Sequence, residues 1–133
     1  MIAFITVAND RIGEQYQAWA LQKALVSFYQ QFTPYLEAYR PTEFFLDLGR
    51  EEEARSLARR LWEGLIPAYG QKAVLALAPS KLLARALSLL ETRAVLFPEL
   101  VIEEKPQGLL LFLPAGREEA VRRKLPLEVL WPL

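Results

Sequence analysis

The chain has 133 residues, 53% of them apolar and 24% charged, with 16 cations balancing 16 carboxylates. This is the profile of one globular domain over residues 1–133, and it excludes a nucleic-acid binder that depends on bulk positive charge, though not a local basic patch. Cys and His are both absent, which excludes disulfides, thiolate nucleophiles, imidazole bases and Cys/His zinc sites, and with them triad and zinc-hydrolase chemistry.

Ile2 to Ala8 is a short apolar run, broken by Asn9, Asp10 and Gly13, and predicts a buried strand. From about Glu14 to Phe32, Leu21, Leu25, Phe28 and Phe32 recur at steps of four, three and four, the spacing of one helical face. Pro34 ends that helix at Thr33. Tyr35 to Arg40 and Glu43 to Leu48 read as strands joined by a tight Arg40-Pro41-Thr42 connection. In the second of them, period two sends Phe44, Leu46 and Leu48 to one face and Glu43, Phe45 and Asp47 to the other.

Ala54, Leu57, Ala58, Leu61, Trp62, Leu65 and Ile66 follow the amphipathic helical template. Glu51, Glu52 and Glu53 in its first turn suit the helix dipole, and Pro67 and Gly70 are expected to end it. Ala73 to Ala78 is a continuous apolar run, as in a central strand. Pro79 and Ser80 start a further helix with Leu83, Ala86, Leu87 and Leu90 inward. Leu100 to Glu104 and Leu109 to Leu113 flank Lys105-Pro106-Gln107-Gly108, a hairpin signal. A short helix over Arg117 to Lys124 and an extended tail from Leu125 to Leu133 follow. The order predicts an α/β (α+β) ferredoxin-like βαββαβ plan with an antiparallel sheet, plus a C-terminal helix and β-hairpin. The plan alone names no function.

Two segments go further. Phe32-Thr33-Pro34-Tyr35-Leu36-Glu37 leads into Thr42-Glu43-Phe44-Phe45-Leu46-Asp47-Leu48, and Leu77-Ala78-Pro79-Ser80-Lys81-Leu82-Leu83-Ala84-Arg85-Ala86-Leu87-Ser88 follows after one helix and one strand. Together they resemble the palm of Y-family translesion DNA polymerases, and Leu110 to Leu130 is similar to the family's exit from the palm towards the thumb. The resemblance covers about Tyr16 to Trp131. It implies a site where carboxylates hold two divalent ions about 3.5–4 Å apart. It assigns these acids to an Asp in the first strand and an Asp-Glu pair at the hairpin. Here the pair reads Thr42-Glu43, and Met1 to Ala8 holds no carboxylate, Asp10 lying just beyond. Fingers, thumb and little finger have no counterpart.

The resemblance therefore points to the inactive branch, whose members serve as accessory subunits in mutagenic repair. The expectation is a non-catalytic protein of DNA repair or damage tolerance. Its expected partners are other repair or replication proteins and DNA. No cofactor is expected, Mg²⁺ entering only if the chain is the palm fragment of a longer active polymerase. A second alternative is a ferredoxin-like module that binds a small ligand or self-associates. No segment approaches the roughly 18 to 20 apolar residues of a membrane span, and a cytoplasmic location is expected.

Thr42 and Glu43 stand at the degenerate catalytic positions, and Glu43 and Asp47, roughly 13 Å apart along one strand face, read either as a relict metal site or as a solvated face. The resemblance gives Lys81, and with it Arg85, a phosphate-binding role; the residues alone allow an ordinary surface pair. Arg122, Arg123 and Lys124 could touch DNA, or simply offset a helix C-terminus. Arg55 and Arg59, each four residues from Glu51 or Glu63, are expected to pair along their own helix. Trp62 reads as core, Trp19 as ambiguous, and Trp131 as an exposed tail residue.

Overall fold

The computed structural model describes residues 1–8, 15–69, 72–90, 97–106 and 108–126. The element order is β1 (Ile2–Ala8), α1 (Gln15–Tyr29), β2 (Leu36–Arg40), β3 (Glu43–Asp47), α2 (Glu51–Tyr69), β4 (Lys72–Ala78), α3 (Lys81–Leu90), β5 (Val101–Lys105), β6 (Gly108–Phe112) and α4 (Glu118–Lys124). The strands form one sheet in the order β2-β3-β1-β4-β6-β5. Its first four strands pair antiparallel throughout, which is the ferredoxin-like βαββαβ core.

Two features extend the expected plan. The hairpin joins the sheet instead of standing beside it: β6 pairs parallel to β4, and β5 closes the far edge. The six-stranded sheet is therefore mixed. The helices also occupy both faces. Leu25 and Tyr29 of α1 and Ala54, Ala58, Leu61, Trp62 and Leu65 of α2 pack on Ala3, Ile5, Val7, Phe44, Leu46, Leu75 and Leu77. On the opposite face, Leu83, Leu87 and Leu90 of α3 and Val121 of α4 pack on Phe4, Phe45, Ala76 and Leu111. The period-two assignment of β3 holds, with Phe44 and Leu46 on the α1/α2 side and Phe45 on the α3 side.

Helix α1 ends at Tyr29, earlier than its apolar spacing implied, and the chain leaves through turn hydrogen bonds to the Phe28 and Tyr29 carbonyls. The Thr33 hydroxyl then donates to the Asp47 carbonyl (2.7 Å) and accepts from the Tyr35 amide (3.1 Å), tying the entry of β2 to the end of β3. Helix α2 runs through Pro67 to Tyr69 rather than stopping at the proline. Pro67 lies in the last turn and has no N–H to donate to the Glu63 carbonyl, so the helix forgoes that one hydrogen bond near its end. The expected pairing along α2 is replaced by contacts to the added strands. Arg59 reaches Glu103 on β5 (2.5 Å), Glu63 pairs with Lys105, and the Arg55 guanidinium lies 4.7 Å from the Phe112 ring centre. The tail beyond residue 126, with Trp131, and Asp10 lie outside the described residues.

The start of the parallel pairing is closely packed. Trp62 is fully buried, and its indole N–H donates to the Ala73 carbonyl (3.0 Å). Ala73 faces Gly108 across β4 and β6, and a Cβ on Gly108 would stand 2.0 Å from that same carbonyl oxygen. Only glycine permits this approach. Gly108→Ala is expected to destabilise the fold by about 1–3 kcal/mol, read as a lower urea midpoint. The Tyr29 hydroxyl is buried without a hydrogen-bond partner among the described residues, and burial pushes it above its ordinary pKa. Tyr29→Phe keeps the edge-on contact with Phe44, 5.0 Å between ring centres, and removes that polar atom. It is expected to raise stability by about 1 kcal/mol, and a fall in melting temperature would contradict the packing described.

Candidate functional site

The β2–β3 hairpin carries the positions at which the resemblance puts catalytic acids. The Thr42 carbonyl accepts from the Val7 amide (3.1 Å), so Thr42 closes the turn against β1. Glu43 is held by its neighbours: the Thr6 hydroxyl lies 3.4 Å from one carboxylate oxygen and Arg40 Nε 3.5 Å from the other. Asp47, at the other end of β3, accepts from the Gly49 amide (3.0 Å), where Gly49 takes a φ of +84° to turn the chain towards α2. The two carboxylates thus serve separate local turns. Among the described residues no group of three or more Asp, Glu, His or Cys side chains converges.

Lys81 and Arg85 do come together. They lie one turn apart at the start of α3 and face the strip of sheet that α3 leaves uncovered, because that helix packs over β1 and β4 and not over β2. The Lys81 ammonium pairs with Glu37 on β2 and stands 5.4 Å from the Phe45 ring centre. The Arg85 guanidinium stands 5.1 Å from the Tyr39 ring, and Arg40 approaches the same ring at 5.5 Å. Behind Tyr39 lie two buried rings, Phe4 at 6.1 Å and Phe45 at 5.9 Å, both edge-on to it. The result is an aromatic strip bordered by three cations and two carboxylates, Glu37 and Glu43. A small open cleft of about 260 Å³ continues from it past Ile2, Tyr35, Asp47 and Lys81.

No known family model, curated protein or solved structure matches the chain. The residues themselves therefore carry the functional reading.

Arg122, Arg123 and Lys124 end α4 and do not line the cleft at this strip. Arg122 and Arg123 pair with Glu119 at 3.1 and 3.7 Å, and Lys124 pairs with Glu99 at 2.6 Å. The two Glu119 pairs are exposed on both sides, contribute little and exchange readily, so Arg122 and Arg123 remain accessible, whereas the Glu99 carboxylate paired with Lys124 is largely covered. A larger open cleft, about 600 Å³, lies at the other end of the sheet and is lined by Thr6, Lys72, Val74, Glu104, Lys105 and Leu109 among others. None of the candidate site residues named from the sequence lines it. Tyr39, Arg40 and Glu37 were not foreseen as site residues. Their alternation with Leu36 and Ala38 already marks Glu37 and Tyr39 as one face of β2, and only the pairing with β3 shows which face.

The Lys124 ammonium, the backbone amide of Glu99 itself and the nearby Arg117 hold the Glu99 carboxyl below its ordinary pKa. A depressed folded-state value makes its contribution to stability present above the ordinary carboxylate range and lost as pH falls through the folded value. Acid titration of unfolding free energy is expected to show this loss, and Glu99→Gln is expected to flatten it. An unchanged acid limb in that variant would show that Lys124 does not hold Glu99 in solution.

Proposed function

We infer that the chain is a non-catalytic relative of the Y-family polymerase palm, acting in DNA repair or damage tolerance through contacts with partner proteins and DNA. The observation that carries the reading is the state of Glu43. Of the Asp-Glu pair that the resemblance puts at the hairpin it is the acid that remains, and it is engaged by Arg40 and the Thr6 hydroxyl. A carboxylate bound to a guanidinium and a hydroxyl stabilises a turn. To clamp two dications it would need further acids beside it. Lys81, which the resemblance gives a phosphate role, lies on the same face of the sheet, over Phe45. On this reading Lys81 keeps the phosphate-binding half of the motif, while the acids of the metal-binding half are reduced to Glu43.

The direct test is primer extension with the purified chain in magnesium or manganese. No templated addition is expected, and addition would overturn the reading. Genetics supplies the complementary arm. Deleting the gene is expected to lower damage-induced mutagenesis, and Glu43→Gln is expected to restore it, since an accessory protein does not need that acid for chemistry. Failure of a folded Glu43→Gln variant to complement would restore the case for catalysis.

A further inference from the structure

Tyr39 is an exposed aromatic residue on the edge strand β2. β2 pairs with β3 in register up to Ala38, the register then shifts before Arg40, and Tyr39 is the residue at the irregularity. A bulge bends an edge strand and re-aims a side chain. Here the extra residue brings Arg40 beside Glu43, onto the face that Tyr39 already shares with Phe4 and Phe45. Those two rings, 4.8 Å apart and buried, meet Tyr39 edge-on and fix its position. Tyr39 nevertheless stays 42% exposed. An exposed ring already held in place loses little conformational freedom when a flat partner stacks on it.

The charges around it have a definite sign. Glu43 pairs with Arg40 and Glu37 with Lys81, which leaves Arg85 as the cation of this strip with no carboxylate partner among the described residues. Arg85 is half-buried and directed at Tyr39. An uncompensated guanidinium lying over an exposed, fixed ring can swing from the ring to a phosphate and open the ring to a base, which matches a ligand that is planar at one point and anionic at the next. A nucleotide unit has that form, and a run of them in an unpaired strand can follow the strip past Lys81. Duplex DNA does not, since its bases are stacked within the helix and only its phosphates are offered.

We propose that Tyr39, flanked by Arg40 and Arg85, is a stacking platform for a base of single-stranded DNA, with Arg85 on an adjacent phosphate and Lys81 on the next. This rests on the DNA-contacting reading above and assigns that contact to a surface. The Lys81–Glu37 pair is exposed on both sides, so a phosphate can displace Glu37 at small cost.

The test is fluorescence anisotropy of a labelled oligothymidylate of about 12 nucleotides, titrated with the full chain at low salt. Saturable binding is expected. Tyr39→Ala is expected to weaken it about 5- to 150-fold, the range of one lost base–aromatic stack, while Tyr39→Phe keeps it. Arg85→Gln is expected to reduce the slope of log affinity against log salt by about 0.7, one single-strand phosphate contact. Circular dichroism confirms that each variant is folded. Absence of binding, equal affinity of Tyr39→Ala, or preference for a duplex of the same length would overturn the proposal. So would a free thymidine nucleotide that competes as well as the strand. The two readings fail separately: templated addition in primer extension defeats the non-catalytic reading and leaves the platform standing, whereas loss of oligonucleotide binding defeats the platform alone.

Discussion

Strand β1 is apolar on both faces, with Ala3, Ile5 and Val7 towards α1 and α2 and Phe4 towards α3, and these four side chains are buried. A strand of this kind is stable only when both faces are covered. Each large side chain withdrawn from water contributes about 1.5–3 kcal/mol, so covering one face alone would leave Phe4 and its neighbours exposed. The antiparallel pairing of β1 with β3 and β4 places Phe44 and Leu75 on one side and Phe45 and Ala76 on the other. The three-layer arrangement follows from that alternation.

The same constraint decides where the surface remains open. Helix α3 spans Lys81–Leu90 and covers β1 and β4, while β2 lies two strands away from β1. Four of the five β2 residues are exposed. The α3-facing side of β2 is therefore finished by side chains instead of a helix: Glu37 meets Lys81, and Tyr39 meets Arg85. At the opposite edge, Arg55 and Arg59 of α2 perform the corresponding service for β5 and β6, through Phe112 and Glu103. That edge is closed by ion pairs and carries charged residues along β5, which discourages pairing with another strand.

Much of this was legible from residue order because alternation and helical spacing are local. They place Phe44 and Phe45 on opposite faces and Leu83, Ala86, Leu87 and Leu90 inward on α3. Tyr29 was passed over because Leu25 has apolar neighbours at both the third and the fourth position after it; the fully buried one is Tyr29, while Phe28 is partly buried. The parallel pairing of β4 with β6 was beyond reach, since periodicity states which face a side chain takes and not which strand lies alongside. The charged contacts of α2 failed for the same reason: spacing along one helix cannot anticipate Glu103 or Lys105 on strands that arrive later. At the site, Lys81 and Arg85 stood out through a local motif, but the rings they meet belong to β2 and β3 and depend on long-range register.

The proposed contact surface is the strip between β2 and the start of α3. Phe4 and Phe45 serve both as core beneath α3 and as backing for Tyr39, so the stability of the sheet and the fixed position of that ring are one property. Backbone amide shifts recorded by NMR during titration with single-stranded DNA test the account most directly. Changes centred on Glu37 to Arg40, Phe45 and Lys81 to Arg85 are predicted. Changes centred instead on Arg122 to Lys124 or on the cleft at Lys72, or no changes anywhere, would contradict it.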